Sequence, residues 1–308
     1  MPADPHPLDV VFVAGAGRSG TTLLDLMLGQ VPGFFSCGEL AYVWDRSFRE
    51  DQLCGCGERF HACPFWTEVA DRAFGGFDRL DLDAIGHLTA RVHRNRWLAG
   101  RVLAAQDGRA LLAYSPYVSR LLRAIRAVSG CEVLVDSTKE PFQGAVLRST
   151  GARVHIVHLV RDARAVAWSW QRRKVRTEIH WKREEMEVYP PRRAALHWDK
   201  RLLQVEALRL LGAPMQTLRY EDLVSDPAAS LRLVLERLGR PRADLPFVDG
   251  HQVTLGVNHT VSGNPMRFSR GAITVAGDTE WQEKMDPGHR ALVTVLGLPW
   301  LVRHRYRP

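Results

Sequence analysis

Four short apolar runs punctuate the chain, at residues 10–14, 133–135, 154–160 and 215–218. Each is short and mainly apolar, as strands buried on both faces are. Between and after them, helical patterns cover residues 21–30, 142–149, 163–175, 192–211 and 227–238. Strands alternating with helices predict an α/β fold with a mostly parallel sheet covered on both faces. Such sheets bind ligands at the carboxyl ends of their strands, so chemistry is expected in the turns that follow them.

Residues 40–130 break this rhythm, with a cysteine-containing loop and two helical stretches near 83–105 and 116–128. They read as an insertion that shapes the substrate side. Residues 171–193 are dense in charge, from Gln171-Arg172-Arg173-Lys174 to Pro190-Pro191, and predict a mobile flap or an extended helix. No repeat, low-complexity tract or clear linker divides the sequence. One domain over residues 1–308 is therefore expected.

The first apolar run leads into Gly15-Ala16-Gly17-Arg18-Ser19-Gly20-Thr21-Thr22. This is a buried strand, a tight turn and a helix start. Glycines let backbone approach a ligand, and unpaired N–H groups at a helix start favour an anion. Three kinds of phosphate site fit. Gly15-x-Gly17-x-x-Gly20 matches the dinucleotide fingerprint, with Glu39 nineteen residues further on. Gly15 and Gly20 also have the spacing of a nucleoside-triphosphate loop, but Thr21 stands where its lysine belongs, which counts against phosphoryl transfer. The third is a metal-free loop in which Arg18, Ser19, Thr21, Thr22 and the Gly20 backbone surround a 5′-phosphate.

A second anion grip follows the strand at 154–160. Arg161 ends that strand, Asp162 can cap the next helix, and Ser169 lies eight residues on, about two helical turns. A cation at the strand end and a hydroxyl on the helix suit a separate phosphate.

The two grips together resemble the nucleotide site of sulfotransferases that use 3′-phosphoadenosine 5′-phosphosulfate (PAPS). The likeness is to bacterial members, with similarity to tyrosylprotein sulfotransferases. Val135-Asp136-Ser137-Thr138-Lys139-Glu140-Pro141-Phe142 resembles the Lys-Asp-Pro-Phe and Asp-Ser-Ser-Lys regions of those enzymes, and Arg219-Tyr220-Glu221-Asp222-Leu223 recurs in the superfamily. His259 to Phe268, with Arg270-Gly271 and Asp278-Thr279-Glu280-Trp281 beyond, is similar to the loop that closes over the nucleotide. The resemblance runs from about residue 10 to residue 281. It implies a P-loop-like three-layer sandwich and sulfuryl transfer from PAPS, leaving adenosine 3′,5′-bisphosphate. It further implies cofactor contacts from Tyr220 and from Arg267 or Arg270 with Gly271, and no catalytic metal.

In-line transfer needs a base for the acceptor and charge to offset the leaving phosphate. The implied base is Glu39, in Phe34-Phe35-Ser36-Cys37-Gly38-Glu39, where apolar and small neighbours favour proton uptake. Tyrosylprotein sulfotransferases carry a similar Cys-Gly-Glu segment. Cytosolic members use a histidine, and His259 is the reserve here, since His155 and His158 read as packed strand residues. Lys139 is expected near the bridging oxygen, with Ser262 or Ser137 donating to the sulfate.

Cys54, Cys56, His61 and Cys63 cluster in sequence and offer a structural Cys₃His zinc site, with a disulfide or plain buried thiols as alternatives. Aromatic residues Trp44, Trp66, Trp97, Trp168 and Trp181 either line an acceptor pocket or fill the core.

Composition narrows the field further. The 308 residues are 45% hydrophobic and 25% charged, as in ordinary globular proteins. A net charge of +8 suits an anionic partner, or is simply a solvated basic surface. Only five of 42 basic residues are lysine, so Lys139 in a motif carries more weight than any one arginine. No aromatic-interleaved basic patch or helix-turn-helix pattern calls for nucleic acid. No apolar run spans a bilayer, and residues 1–9 lack the marks of a secretory signal, so a cytoplasmic protein is expected. Five cysteines are not a disulfide framework. The partners implied are a nucleotide sulfate donor and a small-molecule, carbohydrate or peptide acceptor. The competing activities are a small-molecule or nucleoside kinase with a degenerate loop, a non-catalytic nucleotide binder and an oxidoreductase.

Overall fold

The computed structural model describes residues 8–93, 105–210 and 212–307. Five strands form one sheet: β1 (Asp9–Gly15), β2 (Phe34–Gly38), β3 (Val133–Lys139), β4 (Arg153–Val160) and β5 (Met215–Arg219). Their order is β2-β3-β1-β4-β5 and every pairing is parallel. β1 lies at the centre, and its side chains alternate between faces. Val10, Phe12 and Ala14 enter one apolar core, and Val11 and Val13 enter the other.

Helices cover both faces, giving the three-layer α/β architecture that the alternation predicts. On one side lie α2 (Pro64–Phe74), α3 (Leu82–Val92), α4 (Ala105–Ser129) and α5 (Pro141–Ser149). Their core holds Trp44, Phe60, Trp66, Ile85, Ile125 and Val146, so residues 40–130 supply much of one layer. On the other side α1 (Thr21–Leu28) and α9 (Pro227–Arg237) pack through Leu24, Met27, Leu231 and Val234. A small antiparallel sheet, β6 (Val248–Asp249), β7 (Gln252–Leu255) and β8 (Gly271–Thr274), closes that layer through Val253 and Leu255. A third cluster joins α6 (Ala163–Trp170), α7 (Pro191–Leu210) and α11 (Pro287–Arg303) around Trp198, while the short α8 (Tyr220–Ser225) follows β5 and α10 (Glu280–Lys284) precedes α11. Prolines open α2, α5, α9 and α11, where a missing N–H has no cost.

Several expectations change. β2, the small sheet, α2 and α11 are not anticipated by the apolar runs. β2 carries only five residues, Phe-Phe-Ser-Cys-Gly, too few to stand out. α6 stops at Trp170 rather than continuing to residue 175. Beyond it, residues 171–190 are not an extended helix but a strap folded on itself. Arg176 N–H donates to Glu184 O at 2.8 Å, and Met186 N–H donates to Lys174 O at 2.7 Å. The second half of the stretch expected near 83–105, including Trp97, lies largely outside the described residues. Trp44 and Trp66 are core, and Trp181 is exposed. No helix among the described residues is long and apolar enough to cross a membrane.

Candidate functional site

The turns after β1, β3, β4 and β5 meet at a cleft of about 810 Å³, within the usual range for small-molecule sites. Its floor is the turn from β1 into α1. Gly15 is forced there because a Cβ would stand 2.4 Å from Leu159 O. Gly20 caps α1 at φ 87°, and a Cβ on it would strike the Tyr220 ring at 2.4 Å. Arg18 bends into the same left-handed region at φ 69°. The loop can therefore pass beneath two aromatic walls, Trp170 over Gly17 and Tyr220 over Gly20.

Arg18 faces the cleft together with Gly20, Thr21 and Thr22. Its guanidinium stacks on Trp170 at 5.0 Å, and Nη2 donates only to Met186 Sδ at 3.4 Å. Its Nε and Nη1 and the Ser19 Oγ are buried without a hydrogen-bond partner. Burial lowers the Arg18 pKa, as expected for a cation lacking a counter-ion.

Arg161 leaves the end of β4 and Asp162 caps α6 by accepting from Arg164 N–H, as the sequence predicts. Arg161 Nη1 donates to Arg18 O at 3.0 Å, so the turn after β1 and the end of β4 touch. The guanidinium lies over the Tyr220 ring at 4.4 Å. Its Nε and Nη2 have no hydrogen-bond partner, and Asp278 stands 3.4 Å from Nη2. Ser169, on α6, lines the same cleft. Arg172 also pairs with Asp278, at 3.4 Å, and Lys174 is lowered by burial and then by repulsion from Arg18, Arg172 and Arg161. Arg172 pairs with Glu280 as well, at 2.5 Å.

Glu39 lies at the other end. Its backbone N–H donates to Val261 O at 2.8 Å, and its side chain is ion-paired with Lys139 Nζ. Lys139 holds its position through a left-handed φ of 69° at the end of β3. Behind it Asp136 accepts from Thr138 N–H at 2.9 Å and Gln143 Nε2 at 2.8 Å, and Thr138 Oγ1 accepts from Ala41 N–H at 3.1 Å. This buried network fixes β3 to the segment after Glu39. Burial raises Asp136 to about 6 and Asp25, on α1, to about 7.

The loop before β8 departs from expectation. Arg267 does not face the cleft. It is 1% exposed and donates to two carbonyls, Thr260 O at 2.6 Å and Leu53 O. Arg270 donates to Cys56 O, and Gly271 opens β8 in open space. None of these three residues lines the cleft. The cleft wall is built instead by Gly263, Asn264, Met266 and residues 273–276 with Asp278. Ser262 Oγ is buried and unpartnered, at a left-handed φ of 56°. Trp170, Met186 and Asp278 are wall residues that no spacing rule singles out.

The cysteine cluster is also corrected at one position. His61 turns away, its Nε2 3.1 Å from Phe48 O. His259 stands beside Cys54, Cys56 and Cys63 instead, away from the residues that line the cleft.

The model of the Sulfotransferase family matches residues 9–244. No curated protein matches the sequence. Among solved structures, the chain is similar to a sulfotransferase domain from the curacin biosynthetic pathway, at 16% identity and a TM-score of 0.51, covering 99% of each chain. It is also similar to a sulfotransferase domain from the Synechococcus PCC 7002 olefin synthase, at 20% identity and a TM-score of 0.48, covering 97% of this chain and 96% of that one. The match over residues 9–244 includes both anion grips and the Glu39–Lys139 pair, and by it the chain belongs to the sulfotransferase family.

Proposed function

We propose that the protein transfers a sulfuryl group from PAPS to a hydroxyl or amine of its acceptor, with Glu39 as general base. The observation that carries this reading is the contact between Arg161 and the Arg18 carbonyl, which joins two arginines with unpaired, buried N–H groups at one cleft. A nucleotide with phosphates at both 5′ and 3′ positions needs two such grips close together. A kinase would need only one, and a lysine at Thr21.

Arg18, Thr21, Thr22 and the free N–H groups at the start of α1 hold the 5′ end. Arg161 and Ser169 hold the 3′-phosphate, and Tyr220 packs against the nucleotide. Bound PAPS supplies an activated sulfuryl group. Glu39 accepts the acceptor's proton at a carboxylate oxygen, its side chain held by the ion pair with Lys139. Lys139 also offsets the charge on the departing bridging oxygen, and Ser262 or Ser137 donates to the sulfate. The layer from residues 40–130 is the acceptor side of a single functional unit.

Binding of adenosine 3′,5′-bisphosphate should raise the melting temperature more than ATP or NAD does. Arg161→Ala should weaken the bisphosphate by about 10- to 100-fold, the loss expected for charge-assisted hydrogen bonds, and affect adenosine 5′-phosphate far less. Equal losses for the two nucleotides would remove Arg161 from the 3′ role. A larger shift with ATP or NAD would overturn the donor assignment.

A further inference from the structure

Three sulfurs and one imidazole nitrogen meet beside the cleft, from segments far apart in sequence. Cys54 and Cys56 lie in a tight turn, closed by Gly57 at φ 96° and by Cys54 N–H donating to Glu58 O at 2.8 Å. Cys63 is the residue that precedes α2. His259 arrives from the loop before β8. Their ligand atoms all lie within 4.8 Å of one another.

We propose that Cys54, Cys56, Cys63 and His259 bind one zinc ion in a closed structural site. A tetrahedron with Zn–S of about 2.3 Å and Zn–N of about 2.0 Å has S···S edges of about 3.8 Å and S···N edges of about 3.5 Å. Here Cys56 Sγ to Cys63 Sγ is 3.7 Å, and His259 Nδ1 is 3.7 Å from Cys54 Sγ and 3.3 Å from Cys63 Sγ. A disulfide would bring two sulfurs to about 2.0 Å. Three soft thiolates with an imidazole in this geometry select zinc over harder ions.

The surroundings fit a metal centre. Phe65 stacks on the His259 ring at 4.8 Å and 14°, and Trp66 Nε1 donates to His259 O at 2.9 Å, so the imidazole is fixed from both sides. Charge also balances. Three thiolates, a neutral imidazole and Zn²⁺ leave one negative charge. Arg267 is buried beside it, bonded to the carbonyl of Leu53, next to Cys54, and of Thr260, next to His259. Among the described residues Arg267 has no carboxylate ion pair, and the negative groups acting on it are Cys54 and Cys56 together with Glu178 and Glu39, so an anionic cluster is one of the counter-charges of this buried guanidinium. The site would fasten the loop that covers Glu39 to the turn before α2.

The test uses full-length protein grown with added zinc. Elemental analysis should find about one zinc per chain, as for a closed four-ligand site. Titration of thiols with an organomercurial should release it to a chelating dye in step with three cysteines. Cobalt(II) replacement should give thiolate-to-metal charge-transfer absorption and tetrahedral d–d bands. His259→Ala should lower metal affinity by at least about 10-fold, while His61→Ala should leave it unchanged. If the His259 variant does not fold, the cobalt spectrum of the wild type decides. Folded wild-type protein that takes up no zinc or cobalt after reduction and reconstitution would overturn the proposal. So would mass-spectrometric detection of a disulfide within the cluster in protein purified without oxidant.

Discussion

Three of the five non-glycine residues in the left-handed region among the described residues are Arg18, Lys139 and Ser262. Each sits at a strand end or loop beside the cleft. Holding an L-residue there costs on the order of 1 kcal/mol, and such strain gathers where side chains must be aimed. Glu39 is aimed differently, by its own N–H on Val261 and by Lys139. Glu39→Gln keeps that shape and loses the proton acceptor. Turnover should fall by about 100- to 10,000-fold with bisphosphate binding unchanged. Undiminished turnover would exclude Glu39 as the base. Asp25 allows a test of stability. Burial raises it from 3.8 to about 7, so the folded chain keeps a proton that the unfolded chain gives up. Its contribution to stability is full below 3.8 and is lost as the pH rises through about 7. Asp25→Asn should therefore exceed the wild type in denaturant stability by on the order of 2 kcal/mol near pH 8. The gap should shrink by more than half near pH 5. A gap constant across that range would contradict the assignment.

At the scale of elements, the β1–α1 turn depends on close packing that only glycine permits. A Cβ on Gly17 would meet Trp170 at 2.8 Å. Gly17→Ala should push Trp170 off the loop and weaken the bisphosphate by about 10-fold, with a smaller loss of stability, because overpacking costs about 1–3 kcal/mol. Trp170→Ala in the same chain should restore part of the affinity; its failure to do so would place the damage elsewhere. The turn itself was legible in the sequence, as were four of the five sheet strands and the pairing of Arg161 with a helix cap. Those signals are local: an apolar run, then glycines, then polar residues. What stayed hidden depends on chain segments meeting from a distance. His61 lies between Cys56 and Cys63 in sequence and still loses its place to His259. Arg267 stands in a motif-like loop and turns inward to two carbonyls. Met186 reaches the cleft from the strap and belongs to no motif. Asp278 stands in a recognised motif, but its pairing with Arg161 and Arg172 depends on distant segments.

Across the whole molecule, charge is unevenly placed. Arg18, Arg161, Arg172 and Lys174 share one end of the cleft, with Asp278 bound to two of them and Glu280 to Arg172. These cations favour a polyanionic ligand and draw it in over distances set by salt. Affinity for adenosine 3′,5′-bisphosphate should weaken by at least about threefold between 0.05 and 0.5 M salt. Isothermal titration at the two ionic strengths checks this, and a flat response would mean that Asp278 already neutralises the end.

One backbone contact has a bearing on solubility. β2 is an outer strand of the sheet, and Val261 seals its open side: Val261 N–H donates to Cys37 O at 2.9 Å, and Glu39 N–H donates to Val261 O at 2.8 Å. Gly38 makes the fit possible, since a Cβ there would lie 2.3 Å from Val261 O. The segment that holds Glu39 thus also denies a neighbouring molecule an unguarded border for strand addition. The order of the cleft and resistance to self-association hang on the same few residues.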